Sequence, residues 1–557
     1  MENISSQITQ IISKEFDMDI RPVITIPDPK FGDFSTNVAL QLAGRLGRNP
    51  LEIAETIASK LDGATVAGSG FINVRLPDKH FIQTLNNINS DQNFGLPSIY
   101  KDQIVVTEYS DPNPFKVLHI GHLYTSIVGD AMSNLIEAAG GTTHRVNFGG
   151  DVGLHVAKTM YGIIHHLSGE HPEELDNIPE SERSDWISAR YVEGNHAYED
   201  DEQAKSEIVE LNKKVYSLFT TDDRTSPFAQ IYWTCRQWSY DYFDAFYASI
   251  GVKFEKYYPE SATAQIGLKT VKEQQKNGVY EESNGAVVFD GEKHGLHTRV
   301  FINSEGLPTY ETKDLGLSFA KWDDYKFDQS IIITGNDITE YMKVLLKSIE
   351  QFRPDLSSKT LHLTHGMVKL AGGVKQSSRL GNFVKAVDCL ALTREALKEQ
   401  RGSVDEAVVL GAVKYAFLKN SVGPDIIFDP ATSVSLQGNS GPYLQYSLTR
   451  AKSILRSIDR DLSEPLDHTQ DLDEQERALI KKLSDFPFTL EKATKDLAPH
   501  HLCAYLYELA QVFNRFYENA KVAGDPRETL RAHLVQAYAT VLSRGLSALG
   551  LPTPDKM

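Results

Sequence analysis

The sequence predicts an α/β protein: a parallel sheet with helical crossovers, a small α+β module before it and an all-α region after it. Three observations carry this. Residues 101–150 read strand–helix–strand, which implies a parallel pair joined by a right-handed crossover. Residues 1 to about 80 mix both periods. From about residue 400 helical periodicity dominates to the end, as in Leu530, Leu534, Ala537, Val541 and Leu542.

In the first module, Leu51, Ile53, Ala54, Ile57, Ala58 and Leu61 repeat at helical spacing after Pro50, which suits a first helical turn. Phe71–Leu76 alternates like a half-buried strand. Residues 85–100 are polar and turn-rich and read as a linker. In the central region the strands are Ile104–Glu108 and Thr143–Phe148, with a helix from Leu123 to Ala139 stopped by Gly140-Gly141. Phe327–Thr334 is a further strand. Residues 165–230 are acidic and helical, part of an insertion spanning about 165–300. The expected domains are therefore 1–85, 95–400 and 401–557.

The 557 residues suffice for about three or four domains. A net charge of −18 argues against sequence-independent nucleic-acid binding over the whole surface, but local basic clusters can act inside an acidic envelope. The three cysteines, Cys235, Cys389 and Cys503, are far apart, which excludes a disulfide framework and a cysteine-rich zinc site. The opening Met-Glu-Asn-Ile-Ser-Ser has no basic stretch leading into an apolar run, and no apolar run approaches membrane length. A cytoplasmic, monomeric enzyme without membrane contact is the expectation.

The chemistry concentrates in Glu108-Tyr-Ser-Asp-Pro-Asn-Pro-Phe-Lys-Val-Leu-His-Ile-Gly-His122, between a strand's carboxyl end and a helix N-terminus. Open α/β sheets bind ligands there, and helix N-termini favour phosphates. His119 and His122 lie three apart, and Gly121 removes a side chain where a nucleotide ring would approach. Three roles compete for the histidines: a metal pair, structural residues, or donors to a phosphoryl group under attack. No third ligand with known spacing lies nearby, so no metal site is assigned. The phosphoryl role matches charge that grows in the transition state.

His119-Ile-Gly-His122 is letter for letter the HIGH signature of class I aminoacyl-tRNA synthetases. Glu-x-Ser-x-Pro-Asn before it, with Lys116 three residues ahead of the first histidine, resembles the arginyl-tRNA synthetases. The resemblance implies a Rossmann-type catalytic domain, a small α+β N-terminal domain and an all-α, DALR-type anticodon-binding domain. It implies three substrates: L-arginine, ATP with Mg²⁺, and tRNA(Arg). By it Lys116 sits near the ATP phosphates, and Ser110 and Asn113 near the amino-acid backbone groups. The best match to the family's mobile Lys-Met-Ser-Lys-Ser loop is Lys375-Gln-Ser-Ser-Arg379, where Lys375, Ser378 and Arg379 would meet the phosphates. His365-Gly-Met-Val368 resembles the adenine-contacting segment, giving Met367 and Val368, or else is a plain strand end.

A guanidinium calls for a carboxylate that accepts two parallel N–H bonds. Tyr310-Glu-Thr-Lys-Asp314 resembles the family's Tyr-x-x-x-Asp element. Asp314 is the expected guanidinium partner, with Tyr310 against the substrate stem and Glu108 adding negative charge. Asn336 stands where relatives carry Gln. Asn147-Phe-Gly-Gly-Asp-Val-Gly153 resembles the Gly-Asp-Trp-Gly turn, with Val152 for Trp. There Asp151 supports the site or caps the next helix. Asn-Ser-Gly-Pro-Tyr-Leu-Gln-Tyr resembles the opening of the anticodon-binding domain, offering Tyr443, Tyr446 and Arg450 to tRNA. Gly68-Ser-Gly-Phe-Ile-Asn73 resembles part of the additional N-terminal domain, with Phe71 and Asn73 positioned to meet an exposed base, although Phe71 also fits a core position. Activation of arginine that waits for tRNA is a further implication of the resemblance.

Overall fold

The structure is a computed structural model that describes residues 2–25, 27, 31–372, 384–458 and 460–557. The chain divides into two units. The first gathers Met1–Gln92 with Ile458–Ser484 and Arg515–Ala537; the second holds Asn93–Ser457, Asp485–Asn514 and Tyr538–Met557.

In the first unit, β1 (Ile24–Thr25), β2 (Phe34–Thr36), β3 (Ala64–Ala67) and β4 (Phe71–Val74) form an antiparallel sheet in the order β1-β2-β4-β3. Helices Glu2–Phe16, Val38–Leu46 and Pro50–Ala58 bury Ile8, Ile12, Leu42, Ile53 and Ile57 with Ile72 and Val74 of β4. The helix at Pro50 starts because the Asn49 side chain accepts from Leu51 N at 2.9 Å. The expected linker at 85–100 is corrected at its start: Asp78–Ser90 is helical and buries Phe81, Ile82, Leu85 and Ile88. Those four apolar positions recur at helical spacing and outweigh the polar residues between them. The later segments bring charge into this unit. Arg477 pairs with Asp33 and Asp78, and the wholly buried Glu476 accepts from Arg527 and Arg531, each at 3.0 Å. A buried carboxylate is tolerable only with such partners.

The second unit is organised by a five-stranded sheet. Along the chain come β5 (Ile104–Glu108), β6 (Thr142–Gly149) and β7 (Lys256–Pro259). An antiparallel set follows, β8 (Glu281–Ser283), β9 (Ala286–Phe289) and β10 (Arg299–Ile302), and then β11 (Gln329–Gly335) and β12 (Thr360–His365). The main sheet has the order β12-β11-β5-β6-β7, every pair parallel. From β5 the chain builds outward to β6 and β7, then returns to β5's other edge with β11 and β12. The order reverses between β5 and β11, and ligand sites form outside the carboxyl ends at such a reversal. Val106, Val146 and Ile332 of the sheet pack with Leu315 and Leu345 from the helices.

Two sequence expectations change here. Only part of 165–300 is helical insertion: after helices Arg183–Asp200, Glu202–Thr221 and Pro227–Ser249 the chain re-enters the main sheet as β7, and 281–302 is the small antiparallel sheet. β7 escapes a periodicity reading because Lys256-Tyr-Tyr-Pro259 is only four residues long. Residues beyond 400 also contribute one strand, β14 (Ile426–Phe428), parallel to β13 (Val368–Leu370), within an otherwise helical region.

Candidate active site

The five parallel strands place their carboxyl ends along one edge of the sheet. Glu108–His122 follow β5, Gly150 and Asp151 follow β6, Glu260 follows β7, Asn336 follows β11, and His365 ends β12. Helix Ile120–Ala138 approaches β5 closely; a Cβ on Gly129 would lie 2.2 Å from the Tyr109 ring.

The segment after β5 is backbone-strained. Ser110, Asp111 and Phe115 hold φ of 73°, 47° and 68°. Each such residue costs on the order of 1–3 kcal/mol and persists only where its surroundings hold it. Ser110 Oγ bonds Tyr247 Oη at 2.7 Å, Asp111 Oδ1 accepts from Phe148 N at 2.8 Å, and Phe115 N donates to Ser239 Oγ at 2.9 Å. Asn113 Oδ1 accepts from Gly150 N at 2.9 Å.

The histidines form a fixed pair. His119 caps the helix: its Nδ1 accepts from Gly121 N at 3.1 Å, while His122 Nδ1 accepts from His119 N at 3.1 Å. Their rings stack 3.8 Å apart at 27°. Because both Nδ1 atoms accept backbone protons, both rings carry their proton on Nε2. Burial pushes His119 down to about 4 and His122 well below the usual histidine value, helped by Lys116. Both are neutral donors near pH 7. Gly121 serves the pair directly, since a Cβ there would meet the His119 ring at 2.8 Å. Lys116 lies with its ammonium 4.2 Å from the Tyr191 ring centre, and burial together with Lys158 lowers it to about 8.

Beside this cradle lies a slot rich in carboxylates. Asp314 sits one turn into helix Tyr310–Tyr325 and accepts a hydrogen bond from the Tyr341 hydroxyl. Burial pushes Asp314 up to about 8, with the charges of Glu108 and Glu260 adding to the rise. Asp111 is raised by burial and by Glu108. Glu260 accepts from Lys313 Nζ at 2.6 Å. Glu108 is ion-paired with the buried Lys321, which also donates to Ser330 Oγ at 3.1 Å, and its charge still acts on Asp314 and Asp111.

Cradle and slot meet at His155. Its Nε2 bonds the Gly150 carbonyl at 2.7 Å, and both Lys116 and Lys313 depress it, after burial, to about 3. A Cβ on Gly150 would touch Asn113 Oδ1 at 2.5 Å, Glu260 Oε1 at 3.1 Å and the His155 ring at 3.1 Å.

Other expected residues fall as follows. Tyr310 is 58 % exposed at the head of its helix, with Lys313 Nζ 4.9 Å from its ring. Asn336 is exposed in the turn after β11, and neighbouring Asp337 acts on His119 and His365. Met367 gives its N–H to Asp425 at 2.8 Å and its carbonyl to Ile426 N at 2.9 Å, so its backbone is committed to β14's approach, and Val368 is buried in β13. Asp151 does not cap the next helix; Gly153 stands at that cap. It accepts instead from Ser261 N and Arg236 Nε, both at 2.9 Å, fixing the start of the helix that carries Glu260. Lys375, Ser378 and Arg379 lie outside the described residues. Val384 O accepts from Ile120 N and Ala386 N donates to Leu118 O, each at 2.9 Å, beside the histidines.

Elsewhere in this unit, Tyr446 is 36 % exposed and Arg450 donates to its hydroxyl at 3.1 Å, whereas half-buried Tyr443 accepts from Asn514 Nδ2 at 2.7 Å. In the first unit, Phe71 is 43 % exposed, which removes the core reading, while Asn73 is buried and leaves little of its amide for an outside base. Sequence reasoning missed Asp111, His155, Glu260, Lys313, Lys321 and Tyr341. Asp111 stood inside the segment already singled out; Glu260 was findable only with β7 recognised.

Three family models match consecutive stretches of the chain. They are the arginyl tRNA synthetase N-terminal domain at residues 2–76, the catalytic domain of class I (R) tRNA synthetases at 84–429, and the DALR anticodon-binding domain at 444–557. An arginine–tRNA ligase of Bdellovibrio bacteriovorus is 28 % identical over 96 % of this chain and 94 % of its own length. One from Flavobacterium psychrophilum is 28 % identical over 100 % of this chain and 96 % of its own. The fold matches the Thermus thermophilus arginyl-tRNA synthetase over the full length of both chains at 24 % identity, TM-score 0.77. It matches that of Plasmodium falciparum over 100 % of this chain and 99 % of that one at 22 % identity, TM-score 0.78. With the catalytic-domain match alone spanning more than half the sequence, the chain belongs to the arginyl-tRNA synthetases, class I enzymes that ligate arginine to tRNA in translation.

Proposed function

We propose the following division of labour for arginine–tRNA ligation in this chain. ATP, taken as its magnesium complex, lies along His119, His122 and Lys116. Arginine lies in the slot, its guanidinium on Asp314 with Glu260 and Tyr310 beside it, its backbone groups near Ser110 and Asn113. The arginine carboxylate oxygen attacks the α-phosphorus in line; the new O–P bond forms as the bond to pyrophosphate breaks. The two Nε2–H groups donate to phosphoryl oxygens whose charge grows during attack. Being neutral and fixed by backbone hydrogen bonds, they need no reorganisation. A terminal ribose hydroxyl of tRNA(Arg) then attacks the adenylate carbonyl, and AMP leaves. No side chain acts as a covalent nucleophile. Lys375, with Ser378 and Arg379, is proposed from sequence alone to meet the leaving pyrophosphate. Asn336, Met367 and Val368 are retained as lining only. Tyr446 with Arg450, and exposed Phe71, are proposed tRNA contacts, because an aromatic face beside a cation suits an unpaired base and its phosphate.

One observation carries this reading: the carboxylate slot and the histidine cradle share a wall. His155 feels both Lys116 and Lys313, and a Cβ on Gly150 would meet both Asn113 and Glu260. An arginine held by its guanidinium can therefore bring its carboxylate to the triphosphate within one site. The raised Asp314 points the same way, since a carboxyl held up to about 8 gains from a cationic ligand. ATP–pyrophosphate exchange with each of twenty amino acids, with and without total tRNA, tests the reading. Exchange with arginine alone is expected. Exchange with glutamate instead, or with no amino acid, overturns it.

A further inference from the structure

We infer that the helical insertion belongs to the catalytic machinery, supplying Tyr191 to position Lys116 and Tyr216 to position Lys313. The inference rests on the proposed roles of those two substrate-binding regions and adds residues that the sequence left without a task.

The insertion helix Arg183–Asp200 is pressed onto helix Leu154–His166. A Cβ on Gly194 would lie 1.8 Å from the Lys158 carbonyl oxygen, and one on Gly162 would lie 2.2 Å from that of Arg190. Only paired glycines allow backbones this close. The crossing is then locked by Lys158, whose Nζ donates to Asn195 Oδ1 at 2.9 Å. Its consequence is local: Tyr191 lies one residue past Arg190 and sets its ring 4.2 Å from the Lys116 ammonium.

An aromatic face suits this lysine better than a carboxylate would. The ring attracts the ammonium through its quadrupole and leaves the full positive charge in place. A carboxylate would hold it more tightly but neutralise it, and would repel a triphosphate. Lys116 also feels the like charge of Lys158, a repulsion that the attraction of the ring opposes.

Tyr216, on helix Glu202–Thr221, does the corresponding work in the slot. Lys313 donates to Glu260 at 2.6 Å, and its ammonium lies 5.9 Å from the centre of the Tyr216 ring. Lys313 is adjacent in sequence to Asp314. Held by Glu260 and Tyr216, it leaves Asp314 to the substrate.

The test compares variants of the full-length enzyme by pyrophosphate exchange with arginine and tRNA present. Tyr191→Leu is expected to lower kcat/KM for ATP about tenfold, with the arginine KM within about twofold of the parent. Tyr191→Phe, which keeps the ring, is expected to restore ATP use to within about twofold. Tyr216→Ala, which removes the ring beside Lys313, is expected to raise the arginine KM about fivefold and to leave ATP use unchanged. If Tyr191→Leu melts early, Tyr191→Met, which keeps apolar bulk without a π face, carries the comparison. Equal losses in the Phe and Leu variants overturn the inference, as do losses shared evenly between ATP and arginine. If the parent shows no arginine exchange, the functional reading fails; if the parent is active and all variants match it, only this inference fails.

Discussion

The cradle and the slot are built in opposite ways. The cradle comes from one continuous run, Lys116 to His122, at a single strand-to-helix junction. Its geometry is local: each histidine is fixed by a backbone N–H within three residues. The slot draws Asp111, Glu260, Asp314 and Tyr341 from four separate elements, and its electrostatics exist only once those elements meet. The two also titrate in opposite senses. Lys116 loses its charge above about 8, so the cradle weakens there, whereas Asp314 gains its charge above about 8, so the slot strengthens there. A site made of local geometry is expected to fail in turnover when damaged, and one made of assembled charge to fail in recognition.

The largest expected effect breaks the cradle. His122→Ala removes one Nε2 donor and frees His119 N, and is expected to lower kcat by about a hundredfold or more, with arginine affinity held. Single-turnover exchange measures it. An unchanged kcat would take the histidine pair out of the chemistry.

Next in size is Asp314→Asn, which spares shape and removes charge. A charge-assisted hydrogen bond contributes roughly 1.5–3 kcal/mol, so kcat/KM for arginine is expected to fall by about 10- to 100-fold while kcat/KM for ATP holds. A fall in ATP use alone would contradict the division between the two regions.

The pH dependence sharpens the same contrast. kcat/KM reports groups of the form that lacks the varied substrate. With ATP saturating, kcat/KM for arginine is expected to rise about tenfold per pH unit below about 8 and flatten above it, because Asp314 must be ionised to take a cation. With arginine saturating, kcat/KM for ATP is expected to fall above about 8 as Lys116 deprotonates. Asp314→Asn should flatten the first limb and leave the second. His119, held down to about 4, contributes no limb between pH 6 and 9.

This contrast also explains what the sequence made legible. His119, Gly121 and His122 could be read because spacing along one helix start fixes them relative to each other. Tyr310 and Asp314 could be read for the same reason, four residues apart on one helix. Glu260 could not: it depends on β7, a four-residue strand inside a long helical stretch, whose place in the sheet is set by pairing with β6 rather than by its own pattern. Lys321 was equally hidden. A lysine in mid-helix reads as solvated surface, and only the structure shows it buried and ion-paired with Glu108. Pro50 marked a helix start correctly because first-turn chemistry is local, and the structure adds Asn49 as the cap. Residues 85–90 misled because asparagines spoke for a turn while Leu85 and Ile88 faced a core assembled from distant residues.

The smallest effect is the most discriminating. The Tyr341 hydroxyl donates to Asp314 and lowers it, against the burial that raises it. Tyr341→Phe removes that donor while keeping the ring, so Asp314 should rise further. A hydrogen bond of about 1.4 kcal/mol corresponds to about one pH unit. The rising limb of kcat/KM for arginine should therefore move up by about one unit. At pH 7, already on the slope, arginine use should fall about tenfold; at pH 9.5 the variant and parent should nearly coincide. A purely packing role for Tyr341 would instead lower arginine use by the same factor at both pH values, with the midpoint unmoved.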